Sequence, residues 1–231
     1  MEKKETKYYT YKLNMTILNI MAIMLFVIVS GLVYLIECSD KYVINSNIII
    51  LFLLMFVWLI FHEILHGIGF GLFKEVDNKN ITYGMFLERG VFYCMCKQNI
   101  GKKVILTSLL FPVIIIGFVT LIIGMWFNCF LLVYLSVLNI VSSIGDIVMI
   151  IYFLKAPDDI IYLDLDDCTS FTVISNHNLE SVKVLGISLV DSGVYDKEKM
   201  IARDYKKIII TKFSWGVLGI MLLLGILVSI I

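Results

Sequence analysis

The chain has 231 residues, of which 60% are hydrophobic, and its 19 lysine and arginine residues equal its 19 aspartate and glutamate residues in number. Such an apolar composition excludes a soluble domain with an ordinary core and favours a membrane protein. Because the net charge is zero, the sequence does not indicate a basic surface for phosphate backbones, and we expect no nucleic-acid partner.

Five apolar segments are long enough to cross a bilayer. About 20 apolar residues span the hydrocarbon layer, and inside it only helices satisfy every backbone group of such a segment. The sequence therefore predicts an all-α polytopic membrane protein, with a small cytoplasmic β-hairpin and a small mixed cytoplasmic region as its only other structure. The five predicted spans cover residues 15–36, 48–73, 104–127, 130–154 and 213–231.

The distribution of basic residues sets the orientation of these spans. Lysines and arginines are concentrated before the first span, in the loop 74–103 and after the fourth span, whereas the loop between the first two spans holds only Lys41. Basic loops tend to stay in the cytoplasm, so we expect the N-terminus there. The chain divides into a membrane core (1–154), a cytoplasmic region (155–212) and a last transmembrane helix (213–231).

The two polar regions carry strand-like patterns. Residues 81–87 and 91–96 are rich in aromatic and branched side chains, and a short link containing Gly90 separates them, which predicts a β-hairpin. Residues 171–174 form another strand-like run. The acidic cluster before it lacks the spacing of a calcium-binding loop, so it is predicted to be a solvated surface, as is His177. The cluster comprises Asp158, Asp159, Asp164, Asp166 and Asp167.

The second span contains the pattern His62-Glu63-Ile64-Leu65-His66. On a helix, residues i and i+4 share a face, so both imidazoles can reach one zinc ion. Glu63 lies beside that face, where it can act as a general base on water. Ionisable groups are costly at membrane depth, by about 2.5–3.5 kcal/mol for a central acidic residue. Their presence in this span therefore indicates a function.

A catalytic zinc site typically has three protein ligands, and Asp146 is the only acidic residue inside the fourth span. It belongs to a polar stripe with Asn139, Ser142 and Ser143, which are spaced for one helix face. With a rise of about 1.5 Å per residue, Asp146 falls at the same depth as the two histidines. The alternative is a hydrogen bond between Asp146 and a serine or asparagine of another helix.

Glycine and proline residues predict close or irregular packing around the motif. Gly67-x-x-x-Gly71, with Gly69 between them, is a small-residue pattern that allows another helix to approach. Pro112, early in the third span, lacks an N–H and so frees the carbonyl of Ser108. The resulting kink either opens a path from the cytoplasm or is an ordinary kink of a membrane helix.

Together, these elements resemble the intramembrane zinc metalloproteases of the site-2 protease type and, more narrowly, a small family of zincin peptidases in bacterial membranes. The resemblance implies that His62, His66 and Asp146 bind zinc. It also implies that Glu63 is the general base and that Asn139 donates a hydrogen bond to the oxyanion. The matching elements are His62-Glu63-x-x-His66, the loop 81–96, Leu110-Phe111-Pro112 and Gly145-Asp146.

The predicted function is that of a zinc-dependent metalloendopeptidase, an integral protein of the bacterial cell membrane. Its partners would be the lipid bilayer and a membrane-embedded or membrane-proximal protein substrate, which it would cleave near the cytoplasmic side. The 81–96 hairpin would receive this substrate by strand addition.

Three alternatives stay open. They are a non-enzymatic membrane protein with a structural or regulatory metal site, a hydrolase that processes a different amide, and a small transporter. A transporter needs polar residues through the full membrane depth, whereas the extracytoplasmic halves of the second and fourth spans are almost wholly apolar.

Overall fold

A computed structural model describes residues 5–37, 48–86, 91–165 and 169–196. The helices within these residues are α1 (Met15–Glu37), α2 (Ile48–Gly71), α3 (Lys102–Pro112), a π-helix (Val113–Val119), α4 (Thr120–Trp126), α5 (Phe130–Ser142), α6 (Ile144–Lys155) and a short 3-10 turn (Asn78–Asn80). The strands are β1 (Lys7–Leu13), β2 (Ile81–Phe86), β3 (Val91–Cys96), β4 (Ile100–Gly101), β5 (Ile161–Asp164), β6 (Ser170–Ser175) and β7 (Ile187–Val194).

Three stretches of the described helices are long and apolar enough to cross a membrane. They are Met15–Val33, Leu53–Gly71 and Lys102–Trp126, the last of which runs continuously through α3, the π-helix and α4. The helices α5 and α6 meet at a bend of 52° and can together form a fourth span. Many large apolar side chains on these helices are exposed, as expected of helices that face lipid. The fifth predicted span, 213–231, lies outside the described residues.

The prediction of an all-α protein is wrong. Within the described residues, seven strands form two antiparallel sheets, one of five strands in the order β4-β5-β6-β1-β7 and one of two strands, β2-β3. The protein is therefore a mixed helix-and-sheet structure. Sequence reasoning missed the N-terminal strand because its lysines indicated a basic tail. In β1, however, Tyr9 and Tyr11 share one face and are buried in the core, while Thr10 faces the other way and its hydroxyl pairs with that of Thr172 at 3.1 Å.

The five-stranded sheet lies at one end of the helices. Strand β1 leads into α1, β4 leads into α3, and β5 follows α6, so three separate chain segments meet on the same side. An aromatic cluster joins the sheet to α6, with the rings of Tyr11 and Tyr152 at 4.8 Å and those of Tyr152 and Phe171 at 5.5 Å. This arrangement agrees with a shared side for the N-terminus and both polar regions. Which side of a membrane this is stays a prediction.

The predicted hairpin is confirmed. Strand β2 pairs with β3 in an antiparallel register that places Ile81 opposite Cys96 and Tyr83 opposite Cys94. The predicted link, residues 88–90, and the last residue of the first predicted strand lie outside the described residues. The strand-like run 171–174 is also confirmed, as part of β6. The hairpin packs its β3 side against α2, so it lies directly beside the helix that carries the His-Glu-x-x-His pattern.

Candidate metal centre

The side chains of the two histidines of α2 converge inside the helix bundle. Both residues are only 7% exposed, and their Nε2 atoms are 3.1 Å apart. The imidazole rings meet edge to face, with their centroids at 4.8 Å. The i, i+4 spacing on a regular helix is sufficient to explain this geometry.

A carboxylate from a different helix completes the group. Asp146 lies in the first turn of α6, and its Oδ2 is 3.1 Å from Nε2 of His62 and 3.6 Å from Nε2 of His66. The structure thus brings together the three residues that were predicted as ligands. The contacts of Asp146 are with the histidines, in contrast to the alternative of a bond to serine or asparagine on another helix.

The fourth span is bent where the polar stripe lies. The hydroxyls of Ser142 and Ser143 both donate to the carbonyl oxygen of Asn139, at 3.0 and 2.8 Å. Serine hydroxyls that bond back to the preceding turn weaken and bend helices. The bend starts α6 at Ile144 and places Asp146 in its first turn, so the stripe shapes the site as well as lining it.

Each histidine is held by a hydrogen bond at Nδ1, on the side of its ring that faces away from the centre. Nδ1 of His62 lies 2.9 Å from Oδ1 of Asn139, and Nδ1 of His66 lies 2.9 Å from the carbonyl oxygen of Ser108. Because the amide Nδ2 of Asn139 donates to the carbonyl of Pro112 at 3.2 Å, the Asn139 oxygen faces His62. Carbonyl and amide oxygens only accept, so each imidazole carries a proton on Nδ1. In the neutral ring, Nε2 then presents its lone pair to the centre.

The position of Asn139 differs from the one that an oxyanion donor requires. Its side chain is 2% exposed, and its amide is occupied by His62 and Pro112 on the side away from Asp146. This geometry favours a role in holding His62. Residues that orient a metal-binding histidine through its second nitrogen are a regular part of metal sites.

The donor set fits a zinc ion. Three acceptor atoms, Nε2 of His62, Nε2 of His66 and Oδ2 of Asp146, converge without a donor between them when both rings are neutral, so they favour a cation. A tetrahedral zinc ion with bonds of about 2.0–2.2 Å spaces its ligand atoms about 3.3–3.6 Å apart. The three separations here are 3.1, 3.1 and 3.6 Å.

Glu63 lies between this centre and the hairpin. A carboxylate oxygen of Glu63 is within 4.8 Å of ligand atoms on both histidines, so Glu63 is a second candidate for the third ligand. The same carboxylate accepts the backbone N–H of Cys94 in β3. Asp146 has the closer contacts with the histidine nitrogens, and Glu63 lies beside the centre.

A cavity of about 970 Å³ borders the centre. Its walls come from α1, α2, α3, α5, α6, the hairpin and strands β1, β5 and β6 of the large sheet. The lining is largely apolar, with Met55, Trp58 and Leu59 of α2 on one side, but it includes Lys12 and Asp164 at the sheet end. The indole N–H of Trp58 is buried and has no hydrogen-bond partner among the described residues. The cavity therefore joins an apolar region to a polar one at the histidines.

Sequence reasoning missed Asp164, which it assigned to a solvated surface. Its carboxylate accepts the backbone N–H of Cys96 at 3.0 Å and the hydroxyl of Tyr162, and it lines the cavity. Burial raises the pKa of Asp164 to about 6, and the two hydrogen bonds only partly oppose this rise. The alternation of β5 was an available signal, because Tyr162 and Asp164 share one face of the strand and Tyr162 is 2% exposed.

The other described members of the acidic cluster do lie at the surface. Asp158 forms an ion pair with Lys102 at 2.7 Å and is almost fully exposed. Asp159 is half exposed beside His177, whose side chain is also half exposed. Asp166 and Asp167 lie outside the described residues.

Comparison with known proteins links this centre to a family. Residues 53–161 match the sequence model of a family described as "Putative zincin peptidase". The matched stretch includes the histidine pair, the hairpin, Pro112 and Asp146. No curated protein matches the chain, and no solved structure does. Over this stretch, which is just under half of its length, the chain is similar to zincin peptidases, and the likeness suggests a metallopeptidase that uses zinc.

Proposed function

We propose that this protein is an intramembrane zinc metalloendopeptidase. In this proposal His62, His66 and Asp146 hold the zinc ion and Glu63 is the general base. The observation that carries it is the convergence of two buried Nε2 atoms and one carboxylate oxygen within 3.1–3.6 Å, in a chain whose helices are apolar enough to span a membrane.

In this reaction the metal ion and the side chains of the protein have separate roles. A bound zinc ion would polarise the scissile carbonyl and lower the pKa of water. Glu63 takes a proton from the attacking water and passes it to the nitrogen of the leaving amine. Asn139 and the Ser108 carbonyl hold the two imidazoles so that each Nε2 faces the reacting atoms. The apolar cavity walls exclude bulk water and keep these charges in a medium of low dielectric constant.

Strand β3 offers a place for an extended substrate. In the β2–β3 register, the N–H groups of Cys94 and Cys96 point away from β2, because they bond to Glu63 and Asp164 on the other edge. This edge lines the cavity beside the histidines. A peptide laid along β3 would therefore place a backbone carbonyl near the centre, and it would take over the Cys94 N–H when Glu63 turns to the water.

The position of the centre along α2 sets the side of cleavage. His62 and His66 lie in the second half of α2, toward the hairpin and the five-stranded sheet. If the lysine-rich side is cytoplasmic, then cleavage occurs in the cytoplasmic part of the substrate's membrane segment. The substrate in this proposal is a membrane-embedded or membrane-proximal protein.

Two variants separate a hydrolase from a non-enzymatic metal site. Glu63→Gln keeps the size of the side chain but removes the base, so it should retain zinc and lose about 10²–10⁴-fold in hydrolysis rate. Asp146→Ala should lose zinc and hydrolysis together. The assay pairs metal analysis of each purified variant with cleavage of a candidate membrane peptide. Full cleavage by Glu63→Gln would refute the hydrolase, and loss of zinc from this variant would make Glu63 a ligand.

A further inference from the structure

Both hydrogen bonds that hold the histidines lead to one residue, Pro112. The α-helical donor to the Ser108 carbonyl would be the N–H of residue 112, and proline has none. That carbonyl accepts Nδ1–H of His66 at 2.9 Å instead. On the other branch, the carbonyl of Pro112 itself accepts the amide of Asn139 at 3.2 Å, and the oxygen of that amide accepts Nδ1–H of His62 at 2.9 Å.

The packing of the surrounding helices supports both of these hydrogen-bond paths, which we call the two branches. Ser108 is 1% exposed, and its hydroxyl donates to the carbonyl of His66 at 3.0 Å, so α2 and α3 are joined twice at this level. A π-helix begins immediately after Pro112, and π-helical segments are frequent at functional sites. Within it, Gly117 packs closely against α5 beside Asn139, because a Cβ at Gly117 would lie 3.0 Å from Cγ1 of the neighbouring Ile140.

We propose that Pro112 is a positioning residue that fixes the tautomer of both histidines and thereby sets the metal affinity of the centre. Its missing N–H reserves the Ser108 carbonyl for His66. Its own carbonyl anchors Asn139, which holds His62. In this account the proline acts through hydrogen bonds, beyond any bend that it introduces into the third span. The inference rests on the proposed zinc site, but the tautomers can be measured without metal.

The main variant is Pro112→Ala, which adds an N–H that competes for the Ser108 carbonyl. Alanine also favours a regular helix, so the unfolding temperature should stay level or rise. Metal affinity should nevertheless fall about 10–100-fold, as is typical when a residue that orients a ligand is lost. Stability and metal affinity would thus change in different directions, which a purely structural role for the proline does not produce. The matched control is Pro157→Ala, at the only other proline of the chain, which should leave affinity unchanged.

Two readouts test this inference. Cobalt(II) serves as the metal probe, and its binding is measured by visible absorption and by competition with a chelator. In metal-free protein labelled with ¹⁵N-histidine, the three histidines of the chain give few resonances, whose shifts distinguish Nδ1–H from Nε2–H. In wild type, Nδ1 of both His62 and His66 should be fully protonated, because each faces an oxygen that only accepts. In Pro112→Ala, His66 should become a mixture of tautomers.

A second variant keeps the test decisive if Pro112→Ala does not fold. Asn139→Leu removes the other branch, so His62 should lose its tautomer preference while His66 keeps it. Unchanged histidine resonances, together with cobalt affinity within twofold of wild type in either variant, would overturn the role of Pro112. If wild-type protein binds no cobalt, the proposed zinc site fails, whereas the resonances still report on the hydrogen bonds.

Discussion

Replacing Gly69 by alanine tests whether the close approach of α3 to α2 positions the metal centre. A Cβ at Gly69 would lie 2.6 Å from Cα of Ser108 and 3.1 Å from its backbone nitrogen. Carbon atoms in contact are about 3.5–4.0 Å apart, so α3 must move away by about 1 Å. The bond from His66 to the Ser108 carbonyl, now 2.9 Å, would then exceed the range of about 2.7–3.2 Å.

The expected cost has two parts. Overpacking typically destabilises by about 1–3 kcal/mol, and alanine returns up to about 1 kcal/mol of helix propensity, so the net loss of unfolding free energy is about 0–2 kcal/mol. Metal affinity should fall about 10–100-fold, because His66 loses its orienting partner. The assay measures the dissociation constant for cobalt(II) and the unfolding temperature of each purified variant.

Gly71→Ala is the matched control, on the same helix and with the same added methyl group. A Cβ at Gly71 would meet only Oδ1 of Asn78, at 3.4 Å, which is an ordinary contact. This variant should bind cobalt as wild type does. Equal affinity for Gly69→Ala and wild type would refute the claim that contact between α2 and α3 positions His66.

Two further predictions concern the polar side of the molecule. Burial raises the pKa of Asp164 to about 6 from an ordinary 3.8, so the folded state holds this proton more tightly than the unfolded chain. The free energy of unfolding therefore falls as the pH rises from about 4 to 6. One unit of difference in pKa corresponds to about 1.4 kcal/mol. Asp164→Asn should flatten this decline, and an unfolding temperature that falls equally between pH 4 and pH 7 in both proteins would contradict it. Reporter fusions after Lys103 and after Lys207 should both be cytoplasmic, and one between the first two spans extracytoplasmic; an extracytoplasmic reporter at Lys103 would reverse the orientation.

The long apolar helices and the residues of the candidate metal centre could be predicted, because short-range rules determine them. Apolar length indicates spans, and the i, i+4 spacing alone places His62 and His66 on one face. The hairpin followed from two branched, aromatic runs around a glycine-containing link. Asp146 was found because an acidic residue at membrane depth requires a partner, and its depth matched that of the histidines.

The large sheet could not be predicted, because long-range pairing creates it. Strand β1 pairs with β6 and β7, more than 150 residues away along the chain, and its lysines obscure the buried pair Tyr9 and Tyr11. Asp164 was assigned to the surface for a related reason, since only the pairing of β5 with β6 turns it toward the cavity.

Among the glycines, the Gly67-x-x-x-Gly71 pattern predicted that another helix comes close, but Gly69, between these two residues, is the one that meets the backbone of α3. A Cβ at Gly67 would instead meet the phenol of Tyr83 in β2, which is a side chain and not the backbone of a helix. Sequence patterns thus found the packed helix but not the position of closest approach, because that depends on how α3 crosses α2.

The most direct test of the account is the zinc content of the purified protein, measured by mass spectrometry after dialysis against a weak chelator. Wild type should retain one zinc ion per chain, and His66→Ala should retain none, because the two histidine Nε2 atoms and Asp146 form one donor set. A circular dichroism spectrum equal to that of wild type would show that the variant is folded. Wild-type protein without zinc, or His66→Ala with as much zinc as wild type, would contradict the metal centre and the function proposed from it.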